Sequence, residues 1–151
     1  MAKKLPNDAL LTEIFQQVSS AKTKKEKISL LQQYNNGGLR SVLIINFDES
    51  LECLLPVDGD VPFKRNEAPI GTEHSRLDHE YRKFYLYFKG GDTSLSGMKR
   101  EQNFIQLLEG LTEQEADLFI LCCRKDLQSK YRITKQVVAE AFPQIEWGNR
   151  G

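Results

Sequence analysis

Two Thr-x-x-Glu tetrads, Thr23-x-x-Glu26 and Thr112-x-x-Glu115, restrict the folds open to this chain more than any other feature. In such a tetrad the threonine hydroxyl accepts a backbone N–H three residues on, and the glutamate reaches back, so each box opens a helix. Both are followed by apolar residues at three- and four-residue spacing. Ile28, Leu30, Leu31 and Tyr34 follow the first box, and Ala116, Phe119, Ile120 and Cys123 follow the second. A comparable stripe, Leu10, Leu11, Ile14, Phe15 and Val18, lies ahead of the first box, with Asn7 as its expected N-cap and Asp8 in the first turn. Ser19 and Ser20 break that stripe, and Asn35-Asn36-Gly37-Gly38 ends the helix after it through left-handed cap geometry.

The remaining segments continue the pattern. Residues 39–55 carry Leu39, Leu43, Phe47, Leu51 and Leu54/Leu55 at helical spacing. The β-branched run within 41–47 also suits a buried strand, and the length of the pattern favours helix. Residues 56–72 read as a long loop with Pro56, Gly59, Pro62, Pro69 and Gly71, in which Phe63 either pins the loop to the core or stays exposed. From Thr72 or Ser75 a long helix is expected through Leu77, Tyr81, Phe84, Tyr85 and Phe88 to Gly90-Gly91. Its aromatic run suits a deeply buried helix better than a base-stacking surface. A helix through Phe104 and Leu108 to Gly110, and a last one capped by Thr134 and stopped by Pro143, complete the set. The expectation is an all-α fold of about seven helices. Residues 1–151 form one helical domain, with the 56–72 loop between an N-terminal and a C-terminal lobe.

Composition supplies the exclusions. A hydrophobic fraction of 40% with eight Phe and one Trp is enough to build a core. No apolar run approaches the roughly 18–20 residues of a membrane span, and the N-terminus lacks an apolar signal core, so a cytoplasmic protein is expected. Cys53, Cys122 and Cys123 are odd in number and two are adjacent, which argues against a disulfide framework and for buried structural thiols. Only His74 and His79 could join them at a metal, with no Cys-x-x-Cys spacing, and on one helix the two rings would point apart. Asp48/Glu49 and Asp58/Asp60 lack calcium-loop spacing and read as solvated acidic surface. Neither Gly37-Gly38 nor Gly90-Gly91 has a nucleotide-loop context. The expectation is a non-enzyme without cofactor or metal.

Net charge is zero, but its distribution is uneven. Residues 1–46, 81–100 and 122–151 are net basic, while 47–80 and 101–121 are net acidic. A fold could gather the basic segments on one face. Ser96-Gly97-Met98-Lys99-Arg100 and Arg132-Ile133-Thr134-Lys135 each put backbone N–H groups and cations at a helix start, which suits phosphate. The same segments also read as ordinary caps flanked by solvated lysines.

The order of motifs resembles the N-terminal helical DNA-binding domain of ATP-dependent DNA ligases, especially those of T-even-like bacteriophages. Leu11-Thr12-Glu13-Ile14 through Thr23-Lys24-Lys25-Glu26-Lys27 to Leu30 looks like that family's opening helix pair. Leu95-Ser96-Gly97 leading to Ile105 and Leu107-Leu108 is similar to its Leu-Thr-Gly turn. Asp126-Leu127, Ile133-Thr134 and Ala141-Phe142-Pro143 echo its closing helix. The resemblance implies sequence-independent binding of nicked or intact duplex DNA through phosphates, in phage replication or repair. With the flanking cations, the implied DNA-binding residues are Arg40, Ser96, Gly97, Lys99, Arg100, Lys130, Arg132, Thr134 and Lys135. Ligase chemistry itself needs a Lys-x-Asp-Gly motif, and the only Asp-Gly here, Asp58-Gly59, has Pro56 at the lysine position. The chain is thus expected to be a ligase-like DNA-binding domain standing alone. Three departures weaken the implied DNA contacts: Arg132 where the family usually has Gly, Ala139 where it has Asn, and Met98 where Asn is common. The first two, together with zero net charge, motivate an alternative. With the acidic segments, they suit an adaptor that binds a phage or host replication or transcription protein.

Overall fold

The computed structural model of the chain describes residues 10–55, 63, 75–88, 96–145 and 147. Asn7, His74, Asp58-Gly59, the Gly90-Gly91 turn and the 56–72 loop apart from Phe63 lie outside them. The described residues form seven α-helices and two 3-10 helices, with no strand. The helices are α1 (Leu11–Ser20), α2 (Lys24–Gln33), α3 (Gly37–Phe47), α4 (Leu77–Glu80), α5 (Gly97–Gly110), α6 (Glu113–Cys123) and α7 (Lys135–Ala141). The 3-10 helices are η1 (Tyr81–Tyr87) and η2 (Leu127–Ser129). The fold is all-α, as the apolar periodicity requires.

The hydroxyl caps form where the sequence has them. Thr23, Ser96, Thr112 and Thr134 each accept the backbone N–H three residues on, at 3.2–3.3 Å. Helix α1 is a correction: Leu10 is extended and serves as N-cap, so the helix starts well after Asn7. The Glu13 carboxylate takes the Leu10 N–H at 2.9 Å, which supplies a cap without any N-cap hydroxyl.

Helix α6 lies at the centre. Ala116, Leu118, Phe119, Ile120, Cys122 and Cys123 are all buried, which leaves it little solvent-facing surface. It packs on α1 and α3. Two groups of helices are built around that contact: α1 carries α2, which carries α7, while α3 carries α4 and η1, and η1 carries α5. One hydrophobic cluster runs through both groups, and Phe63 packs against it, as a pin would.

Three expectations change in the middle of the chain. Asn36 does not simply end α2: its Oδ1 accepts the Leu39 N–H at 2.8 Å and so caps α3, which Gly37 and Gly38 begin. A Cβ on Gly38 would lie 2.4 Å from Asp78 Cα, so glycine here permits the α3–α4 contact. Helix α3 stops at Phe47 rather than running to Leu55. The Asp48 carboxylate takes the Ser50 N–H at 2.9 Å and its hydroxyl at 2.6 Å, a local turn that outcompetes another helical turn. Asp48 is therefore buried, at 1% exposure, and not part of a solvated acidic surface.

The third change concerns the expected long aromatic helix. It is a single α turn followed by η1, and Phe88 leaves it to form an isolated antiparallel bridge with Cys53. A 3-10 helix has three residues per turn, so Tyr81, Phe84 and Tyr87 fall in one line. Phe84 and Tyr87 reach Phe119, with ring centroids at 4.6 and 6.2 Å, and Tyr87 and Phe104 meet edge-on at 5.5 Å. Tyr85, off that line, is 54% exposed. The aromatic run is core along one edge and surface along another.

Candidate nucleic-acid interface

The turn between α1 and α2 and the segment leading into α7 are more than a hundred residues apart, yet they are joined directly. Tyr131 and Ile133 are buried, with the Tyr131 ring 6.0 Å from Phe15 of α1. Burial keeps the Tyr131 hydroxyl protonated by pushing its pKa up. Between these anchors the Arg132 N–H donates to Ser19 Oγ at 2.9 Å, and the Arg132 carbonyl accepts from Lys27 Nζ. Helix α7 then lies along α2, with a Lys24–Glu140 ion pair and a 3.1 Å bond from Gln32 Nε2 to the Ala141 carbonyl.

The consequence is electrostatic. Lys22, Lys24 and Lys25 on one side and Lys130, Arg132 and Lys135 on the other are exposed around this seam. Helices α2 and α7 carry only Glu26 and Glu140 in return. Lys130 Nζ lies 5.7 Å from the Tyr131 ring centroid and Lys135 Nζ 5.1 Å from that of Trp147, so two cations rest on aromatic faces at the rim.

The expected site residues divide between separate places. Lys130, Arg132, Thr134 and Lys135 belong to this seam. Ser96, Gly97, Lys99 and Arg100 begin α5, which packs on η1. Ser96, Gly97 and Lys99 are exposed there, while Arg100 is half-buried, its Nε donating to the Leu86 carbonyl at 2.9 Å. Arg100 therefore fastens α5 to η1. Arg40 is half-buried on α3, with Nε 3.4 Å from the Asn36 carbonyl. Two of the three basic segments meet, and α5 carries its own group of cations. Lys22, Lys24, Lys25 and Lys27 lie outside the expected site residues, although their density around Thr23 is visible in the sequence.

A second site was not foreseen. Glu115 is fully buried, and only one half of its capping box forms: Thr112 Oγ1 accepts the Glu115 N–H. The carboxylate turns away to take the Leu77 N–H at 3.3 Å on Oε1, with the Leu11 backbone also favouring the anion, while its buried Oε2 has no hydrogen-bond partner among the described residues. Leu11 and Leu77 are the first residues of α1 and α4, so three helix N-termini converge on one acid. Their positive ends favour the anion, yet burial wins and raises the Glu115 pKa to about 7, with Asp78 adding and Arg76 opposing.

Elsewhere a groove of about 340 Å³ between η1 and α5 is lined by Glu80, Lys83, Tyr87, Asn103 and Gln106. Burial, with the Glu80 charge, lifts Tyr87 to about 12, so its hydroxyl stays neutral. His79 is exposed, 3.7 Å from Asp78 Oδ1. Among the described residues no group of three or more His, Cys, Asp or Glu side chains could hold a metal ion, and no helix is long and apolar enough to cross a membrane.

Fold and surface together define an all-α protein with a basic seam between its first and last helices. The chain belongs to the DUF6433 family, a family of unknown function, which it matches over residues 14–129. No curated protein and no solved structure matches it.

Proposed function

We propose that the chain is a non-catalytic, sequence-independent duplex-DNA-binding protein that grips phosphates along the α1–α2/α7 seam. One observation carries the reading: Lys27, Ser19 and Arg132 tie two basic segments from the two ends of the chain into one exposed surface. Phosphate binding needs cations and backbone donors at close spacing on a rigid support, and helices locked by tertiary bonds provide that support. The α5 start, with Ser96, Gly97 and Lys99 exposed, is a second contact region on the same reading. The ligase-like motif order leads to the same binding mode, with phage DNA replication or repair as its setting.

Fluorescence anisotropy with nicked and intact duplexes tests this. Binding at about 50 mM salt is expected, with log affinity falling linearly in log salt, as counterion release requires. The double variant Lys25→Glu/Arg132→Glu is expected to weaken binding to both duplexes at least tenfold and to flatten the salt slope by about two, one per lost phosphate contact. Absence of binding at about 50 mM salt, where backbone contacts are strongest, overturns the reading. An adaptor role for a replication or transcription protein would then be the stronger account.

A further inference from the structure

The seam accounts for the basic surface and leaves the groove of about 340 Å³ between η1 and α5 without a role. Its volume lies near the lower end of the range for small-ligand pockets. Two bonds hold its walls together. Arg100 Nε donates to the Leu86 carbonyl at 2.9 Å, and the Tyr87 hydroxyl donates to the Asn103 carbonyl at 3.5 Å. Behind them the Tyr87 and Phe104 rings meet edge-on in the core. The groove is therefore set by the packing of α5 on η1.

The chemistry of the lining narrows what can fill it. Lys83 Nζ lies 3.2 Å from Glu80 Oε2, so these two charges offset each other. Burial keeps the Tyr87 hydroxyl neutral. A lining without net charge suits neither a bare anion nor a bare cation. What it offers is two carboxamides, Asn103 and Gln106, beside apolar carbon from Leu86 and Leu107. Neither carboxamide makes a hydrogen bond among the described residues. A carboxamide presents a donor next to an acceptor in one plane, which complements the edge of a nucleobase, and the leucines suit its ring face. Asn103 and Gln106 are three apart on α5, so they project on the same side and can meet one planar ligand. Lys99 is exposed on that side too, one turn before Asn103 and about 6 Å along the axis.

We propose that the η1–α5 groove binds the base of a nucleoside phosphate. Asn103 and Gln106 hydrogen-bond the edge of the base, Leu86 and Leu107 pack on its ring, and Lys99 takes the phosphate. The base belongs either to a free nucleotide or to an unpaired position of a DNA strand, and the recognising groups are the same. In the second case the inference rests on the DNA-binding reading and gives α5 a task the seam does not have, that of holding a base out of the stack.

The test is an NMR titration of the intact, isotope-labelled protein, read at the side-chain carboxamides. With deoxyadenosine monophosphate the Asn103 and Gln106 signals should shift and saturate. Deoxyribose 5-phosphate, which lacks the base, should leave them in place. A duplex with one unpaired adenine, set against the fully paired duplex, reports the DNA-borne case. Shifts with the unpaired adenine alone assign the groove to DNA, and shifts with the monophosphate alone assign it to a free nucleotide. Asn103→Leu/Gln106→Leu should weaken binding of the responding probe about tenfold or more, the worth of a lost base-edge contact. Lys25→Glu/Arg132→Glu should respond to the monophosphate as the native chain does, so a failed seam and a failed groove are told apart. Carboxamide signals that stay in place with both the monophosphate and the unpaired adenine overturn the proposal, as does a sugar phosphate that moves them equally. The native-chain titration decides the matter even if a variant fails to fold.

Discussion

At the residue scale, Glu115 has the clearest consequence. A carboxyl titrating near 4.5 when unfolded and near 7 when folded holds its proton more tightly in the folded state. Its stabilising contribution is fully present below about pH 4.5, is lost as pH rises through about 7, and is flat above that. Glu115→Gln keeps an acceptor for Leu77 and removes the ionisation. Wild type and variant should therefore diverge as pH rises from about 4 to about 8, the variant gaining on the order of 3 kcal/mol in denaturant unfolding. A difference that does not vary with pH would show that Glu115 does not titrate as its burial demands. Lys125 presents a different balance. It has a φ of 58°, the left-handed C′ position of a Schellman cap in which the Asp126 N–H reaches the Leu121 carbonyl at 2.9 Å. Glycine there would relieve strain of about 1 kcal/mol. It would also forfeit two charge-assisted bonds, to the Ile45 carbonyl of α3 and the Asp48 carbonyl just after it, each worth about 1.5–3 kcal/mol. Lys125→Gly should thus destabilise the protein, by about 2 kcal/mol or more, as a lowered denaturation midpoint.

At the scale of elements, two glycines at helix starts make opposite predictions. A Cβ on Gly38 would meet the backbone of Asp78 at 2.4 Å, and backbone cannot swing aside, so Gly38→Ala should push α4 off α3 and lower the thermal midpoint. A Cβ on Gly97 meets nothing within 4 Å. Gly97→Ala should leave stability unchanged or raise it by about 0.5 kcal/mol through helix propensity. Because Gly97 is not needed for packing, that variant isolates its role toward DNA: a phosphate that approaches the α5 start closely would be displaced, and affinity would fall without loss of stability. Unchanged affinity would confine the DNA grip to the seam. Phe119 is the aromatic hub, with Phe84, Tyr87 and Phe104 around it. Phe119→Ala should cost about 3–5 kcal/mol, the usual loss for a fully buried Phe.

For the whole molecule, the informative quantity is where charge lies rather than its zero sum. The seam, the α5 start and the Glu115 junction occupy different parts of the fold, so they can be tested separately. Charge reversal at Lys25 and Arg132 should change the salt dependence of DNA binding and leave the pH profile of unfolding as it was. Glu115→Gln should do the reverse. If both substitutions changed both readouts, the seam and the buried acid would have to be coupled through α1, which contributes to each.

Much of the architecture was legible in the sequence, because its determinants are local. Hydroxyl caps at Thr23, Ser96, Thr112 and Thr134, and apolar spacing in α1 and α6, specify helices through bonds and faces within a few residues of one another. The length of the third helix was not legible. Asp48 and Ser50 ended it with a turn, against a hydrophobic spacing that ran on to Leu55. Nor was the 3-10 form of the aromatic run, which follows from its packing on Phe119. The sequence by itself determined an all-α chain, its cap positions and most of its core. Only the tertiary structure decided that Lys27 meets Arg132 and that Glu115 is buried where three helices begin. Those pairings join residues far apart in sequence, and the physical reason is packing: α7 lies along α2, and α6 is buried against α1 and α3.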